Sequence, residues 1–249
     1  MKSRNSYELD LMRKGGIISA KALKRTIDSI SIGISELELD NIAKEEILRL
    51  GGDLSYKSVP NYKYATCITV NDEVVHGVPT ERKIQLGDIV SIDLAVEYKG
   101  WHTDCAWSVL VGKDDEKKKF LEVGEQALLD GIAQAYEGKR VGDISNAIQT
   151  KIESAGYNVV RSLVGHGIGR SLHEEPQIPC FGERGAGPIL LSGATIAIEV
   201  IFAKGSSELS LQSDGWTFKT ADRSWGGLFE MTVIVGKREA EVLTDWRFV

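Results

Sequence analysis

Four carboxylates stand where a β-strand should be apolar, and no other feature limits the fold of this chain as much. Asp93 interrupts Ile-Val-Ser-Ile-Asp-Leu-Ala-Val and Asp104 sits in Trp-His-Thr-Asp-Cys-Ala-Trp. Glu199 sits in Thr-Ile-Ala-Ile-Glu-Val-Ile-Phe and Glu230 in Gly-Leu-Phe-Glu-Met-Thr-Val-Ile-Val. Acids are depleted from strand interiors, and burying one unpaired costs several kcal/mol. One such acid fits an outward position on an edge strand; four in such settings point to a shared partner. Lys99-Gly100 turns the chain between two strands, Ile89–Glu97 and 101–111. A turn centred between Tyr98 and Lys99 sets Asp93 directly opposite Asp104. Like charges directly opposite are destabilising, and a bound cation reverses the sign of that interaction.

The four acids carry four negative charges when ionised, which two divalent cations balance. An imidazole is at hand in His166, within Val-Gly-His-Gly-Ile-Gly, where the surrounding glycines imply close backbone approach or unusual φ. Oxygen-rich ligation with one neutral imidazole suits Mn, Fe, Co or Zn better than a thiolate site would. Two bridging carboxylates hold metals roughly 3.5–4 Å apart, the spacing of two-metal hydrolases. Two of the other three histidines lie beside Gly or Pro turns: His76 in Val-Val-His-Gly-Val-Pro and His173 in Ser-Leu-His-Glu-Glu-Pro. His102 shares the Asp104 face of its strand and reads as structural.

Composition narrows the class. A chain of 249 residues that is 42% hydrophobic can bury a substantial core. Lys plus Arg is 30 against 36 for Asp plus Glu, a net charge of −6 that argues against a nucleic-acid substrate. The three cysteines, Cys67, Cys105 and Cys180, make no disulfide framework and imply a reducing compartment. The first residues lack the apolar stretch of a signal peptide, and no apolar run approaches the ~20 residues of a membrane helix. A cytoplasmic protein without a membrane partner is expected. Periodicity predicts helices over about 7–30, from the Ser35 capping box to Gly51-Gly52, from Asp114 to about Ala135, and over Gly142–Ala155. Strands are predicted at 65–75, in the hairpin, and at 195–203 and 228–235. This order is a loose duplication, about 1–112 and 113–249, within a single α+β domain of helices on one side of an antiparallel sheet.

With Val75-His76-Gly-Val-Pro79, Ile92-Asp93, Asp104, Gly165-His166-Gly-Ile-Gly169, Leu172-His173-Glu-Glu-Pro176, Ile198-Glu199, Gly215-Trp216-Thr217 and Glu230 in this order, the sequence resembles the methionine aminopeptidases of the short bacterial type I form. The resemblance implies the pita-bread fold, two pseudo-symmetric halves whose curved antiparallel sheet is covered by helices. It implies two divalent ions (Co, Mn, Fe or Zn), with Asp93 as a bidentate ligand, Asp104 and Glu230 as bridges, and His166 and Glu199 completing the set. Catalytic roles fall to His76, His173 and Glu199. Substrate would be bound by His76, His173, Tyr62, Cys67, Leu172 and Trp216. The implied reaction removes methionine from the N-terminus of nascent proteins and peptides, by attack of a hydroxide held between the metals. The implied enzyme is a monomer working near the ribosome. Leu172, Val200, Met231, Thr103 and the 55–64 segment depart from the usual family pattern, and Leu172 and that segment border the side-chain pocket. The alternatives are an aminopeptidase of this fold with shifted specificity, a relative cleaving before proline, and a non-catalytic peptide- or RNA-binding pita-bread protein.

Overall fold

Local chemistry sets the helix starts. In the computed structural model, which describes residues 1–249, helix α1 (Ser6–Asp28) opens with a reciprocal capping box between Asn5 and Glu8. Helix α2 (Glu36–Arg49) opens with the Ser35–Glu38 box expected from sequence. Strands β1 (Asp53–Leu54), β2 (Thr66–Val70) and β3 (Glu73–Val75) follow, with a single 3₁₀ turn, Ser55–Ser58, after β1. The long hairpin is β4 (Ile89–Glu97) and β5 (His102–Leu110). Helices α3 (Asp115–Ile132) and α4 (Val141–Ser154) come next. They are followed by β6 (Asn158–Val159), β7 (Val164–Gly167), β8 (Glu174–Pro179), β9 (Thr195–Ala203), β10 (Leu209–Leu211), β11 (Phe218–Thr220), β12 (Gly226–Ile234) and β13 (Glu241–Val242). No helix is long and apolar enough to cross a membrane.

The main sheet runs β1-β4-β5-β12-β9-β7-β8 with every pairing antiparallel, and β2, β6 and β13 attach to its flanks. Helix α1 lies against β4 and β5, and α3 against β9 and β12. Thr103 meets Ser19 of α1 through a 2.8 Å hydroxyl pair, and Phe202 and Phe229 close on Gly124 of α3. Strand side chains alternate between faces. Asp93, Asp104, Glu199 and Glu230 therefore all point away from the helices, while their neighbours Ile92, Leu94, Cys105, Ile198, Val200, Phe229 and Met231 fill the fully or nearly fully buried apolar layer.

This is the expected pita-bread arrangement, and the halves match in detail. The strands β4, β5, β9 and β12 are each nine residues long, and α2 and α4 are each fourteen. The seam falls between β5 and β12. There the backbone pairing spans only Glu230↔Ala106 and Met231↔Cys105. Hydroxyls extend it on both sides. Ser108 Oγ donates to Leu228 O at 2.8 Å and accepts from Leu228 N at 3.0 Å. Thr232 Oγ1 donates to Asp104 O at 2.8 Å and accepts from Asp104 N at 2.9 Å.

One expected register is corrected. Lys99 and Gly100 both adopt positive φ (53° and 78°), so they form the two-residue loop of a type I′ turn. The hairpin thus centres between Lys99 and Gly100, and Asp93 lies opposite Ala106 while Asp104 lies opposite Ala95. The two acids share a face as diagonal neighbours, because a shift of two residues preserves the side-chain alternation.

Replacing Ser108 by Ala strips the buried Leu228 N–H and C=O of their partner. Denaturant unfolding is expected to show a loss of about 1–3 kcal/mol, with Thr232→Val comparable at the other side of the seam.

Candidate metal centre

The centre is built on adjacent rungs of the sheet. Asp93, Ala106, Glu230 and Glu199 occupy the fifth place of β4, β5, β12 and β9, and the registers place them in one row across four strands. Glu230 and Glu199 are direct cross-strand partners. Asp104 comes from the neighbouring rung of β5. His166 enters from β7 opposite Ala197, two residues from Glu199. All five line one cavity of about 130 Å³. Ligand atoms of Asp104, His166 and Glu230 lie within 4.8 Å of one another, with His166 Nε2 3.9 Å from Glu230 Oε1. The glycines beside His166 serve close approach, not unusual φ. A Cβ on Gly165 would meet Ala197 O at 2.7 Å, and one on Gly167 would collide with Glu175 O.

Their electrostatics ask for positive charge. Burial pushes all four carboxyls up: Asp93 to about 6, against hydrogen bonding that lowers it, and, with repulsion from neighbouring acids added, Glu199 to about 8 and Asp104 and Glu230 well above the usual carboxylate range. Asp104 Oδ1 and Glu230 Oε1 are buried with no hydrogen-bond partner, although such atoms are almost always paired in proteins. Burial, followed by the neighbouring His173, holds His166 down to about 4, so it is neutral. Its Nδ1 lies 2.9 Å from Gly167 O. Donation there leaves the Nε2 lone pair facing the acids, the tautomer of a metal ligand. Orphaned carboxylate oxygens beside one neutral imidazole fit a divalent cation.

His173 packs edge-on against His166 with centroids 4.5 Å apart, and His76 packs edge-on against Phe218 at 5.9 Å. Burial holds both imidazoles below their ordinary value. Glu174 fixes the turn before His173 by accepting from Arg170 N at 2.7 Å and Ser171 N at 3.2 Å, and by pairing with Arg4. His76 itself takes the left-handed backbone, φ 57°, at the end of β3. The same cavity has an apolar wall, formed by Tyr62, Cys67, Leu172 and Trp216 of one cluster. Tyr62 sets its ring edge-on to Trp216 at 5.1 Å and anchors its hydroxyl on Thr66 O at 2.8 Å. Asp214 accepts from Trp216 N and Thr217 N, which fixes the turn that presents Trp216.

Sequence reasoning passed over Tyr56, Val59, Val75 and Leu228, which also line the cavity. Tyr56 sits in the segment that departs from the family pattern, and only that departure could have flagged it. His102, read as structural, is buried and bonds Ser55 Oγ through Nδ1 at 2.6 Å.

The profile of metallopeptidase family M24 matches residues 10–237. The methionine aminopeptidase of Clostridium perfringens is 41% identical over 242 residues, 97% of each chain. Methionine aminopeptidase 1 of Bacillus subtilis is 40% identical over 238 residues, 95% of this chain and 96% of its own. The crystal structure of methionine aminopeptidase from Thermotoga maritima superposes with a TM-score of 0.96 at 38% identity, covering 98% of this chain and 99% of that one.

In chelated protein, the raised carboxyls bind protons more tightly folded than unfolded. Their contribution to stability is complete below the ordinary values of 3.8 for Asp93 and 4.5 for Glu199, and is lost as pH rises through about 6 and about 8. His166 acts in the opposite sense, costing stability as pH falls from 6.5 towards about 4. His76, His102 and His173, also held low by burial, oppose the carboxyls below 6.5 in the same way. Above that the carboxyls act alone, so the melting temperature in chelator is expected to fall from about pH 6.5 to about pH 8.5, and saturating divalent cation should flatten that slope. A melting temperature that rises with pH in chelator over that range would contradict this picture of the acids.

Proposed function

The chain belongs to metallopeptidase family M24, and from that premise we propose that it is a divalent-metal aminopeptidase removing methionine from the N-termini of proteins and peptides. The observation that carries this reading is the cavity itself. Its lining brings Asp93, Asp104, His166, Glu199 and Glu230 together with the apolar side chains of Tyr62, Cys67, Leu172 and Trp216. We assign these five as the ligands of two ions, since four carboxylates match the charge of two divalent cations. Mn, Fe, Co and Zn all suit the donor set. When bound, such ions lower the pKa of water and polarise a carbonyl oxygen.

The protein's own groups divide the remaining work. A free N-terminal ammonium, unlike an internal amide, is attracted to the acids lining the cavity, which sets an exopeptidase register. Glu199 is the half-buried member of the acid set and reaches the cavity. As a carboxylate facing the cavity it can take a proton from attacking water and return it to the leaving amine. His173 and His76, held neutral, keep an N–H to donate: His173 to the oxyanion and His76 towards the scissile nitrogen. Tyr62, Cys67, Leu172 and Trp216 form walls suited to an unbranched, polarisable thioether.

We read residues 1–249 as one catalytic unit of two halves, about 1–112 and 113–249. It acts as a cytoplasmic monomer on newly made chains near the ribosome. A shifted preference for the first residue is the second reading, favoured by Leu172 and Tyr56 in the slot wall.

A peptide panel varying only the first residue tests the substrate. Methionine is expected to exceed leucine by roughly 10–200-fold in kcat/KM, the worth of about one methylene's misfit in an apolar pocket. A strong preference for a residue unlike methionine would overturn it. Asp104→Asn and Glu230→Gln should each lower kcat/KM by about a thousandfold or more and reduce bound metal by elemental analysis. Full activity after chelation would refute the metal chemistry.

A further inference from the structure

Among the four acids, Asp93 differs in one respect: a side chain from outside the cluster donates to it. Tyr56 Oη donates to Asp93 Oδ1 at 2.6 Å, whereas Asp104 Oδ1 and Glu230 Oε1 have no partner. Tyr56 is buried, 7% exposed, and its ring forms part of the wall of the side-chain slot. Three fixtures hold it there. Its neighbour Ser55 is bonded to the buried His102 at 2.6 Å, on the strand that carries Asp104. Ser58 Oγ closes the turn on Ser55 O at 2.8 Å. The Tyr56 ring meets Tyr62 edge-on at 5.7 Å. Just before the turn, β1 pairs with Val96 and Glu97 of β4, the strand that carries Asp93. The phenol is thus braced from two strands of the centre.

We propose that Tyr56 is a positioning residue for Asp93: its hydroxyl fixes the plane of that carboxylate and thereby sets the affinity of the centre for divalent cations. The inference rests on the reading of Asp93 as a metal ligand. A carboxylate on a single-bond stem can swing away from a cation. A hydrogen bond to Oδ1 removes that freedom and so fixes where the second oxygen points. Partners of this kind are worth 10–100-fold in metal affinity elsewhere, by about the same logic. Since the same ring walls the slot, Tyr56 joins the side-chain pocket to the cation site, with the ring serving one and the hydroxyl the other.

Tyr56→Phe separates the two parts, keeping the ring and removing the hydroxyl. Metal-free wild type and variant are titrated with Mn²⁺ by calorimetry, without peptide. The variant is expected to bind about tenfold more weakly, and KM for a methionyl peptide at saturating Mn²⁺ is measured alongside. Ser55→Ala keeps the phenol but loosens its turn, and should weaken Mn²⁺ binding in the same direction. It supplies the measurement if Tyr56→Phe folds poorly by circular dichroism. Affinities within about twofold of wild type in both variants overturn the role of Tyr56, even with Mn²⁺ bound normally by the wild type. A changed KM with unaltered Mn²⁺ affinity makes Tyr56 a slot residue alone and also overturns it. A wild type that takes up no Mn²⁺ overturns the metal-ligand reading itself, together with the inference built on it.

Discussion

Repulsion among four carboxylates on one face of a sheet is the constraint to which the rest of this structure answers. Each acid is buried or half-buried, and each is pushed towards holding a proton. An apolar strand set would be more stable in isolation, because desolvating a charge commonly costs more than its partners return. The stability that tolerates this arrangement comes from the opposite face. There the helices cover a continuous apolar layer from Ile92 to Met231, including the stacked pair Phe120 and Phe202 at 4.4 Å. The sheet thus separates two tasks. One face supplies cohesion, and the other holds charge in place for a cation to complete.

The strand pairing explains how so much charge is gathered at one point. The pairs β4–β5 and β9–β12 meet at the β5–β12 seam, so the fifth places of all four strands fall on one row. The two pairs differ at those positions. Glu230 stands where the first half has Ala106, and Glu199 where it has Asp93. The seam keeps a trace of the symmetry in Ser108 and Thr232, each lending a hydroxyl to the opposite strand. Chemical asymmetry on a symmetric scaffold gives one pocket lined by both acids and apolar side chains.

Loops supply the rest of the lining. His76 reaches the cavity from a left-handed residue at the end of β3, and His173 follows a turn fixed by Glu174. Tyr62 and Trp216 meet there from two further segments, and Leu172 and Tyr56 line the same cavity.

Much was legible in the residues alone. Alternating apolar strands with acids in the wrong phase revealed the charged face, because side-chain alternation has a fixed period of two. Ser35 and Glu38 marked a helix start, and the ordered motifs around His76, His166 and His173 marked the family. The hairpin register was not legible to within two residues. It depended on which residues of Tyr98-Lys99-Gly100-Trp101 take positive φ, and the strand pattern is blind to a shift of two. Nor could spacing along the chain reveal that Tyr56 bonds Asp93, that His102 braces Ser55, or that the glycines around His166 make room for backbone carbonyls. The sequence by itself determined that four acids share one face of the sheet, because strand alternation fixes it. Tertiary structure alone decided their distances and their partners, because those contacts join segments tens to over a hundred residues apart, and only packing brings such segments together.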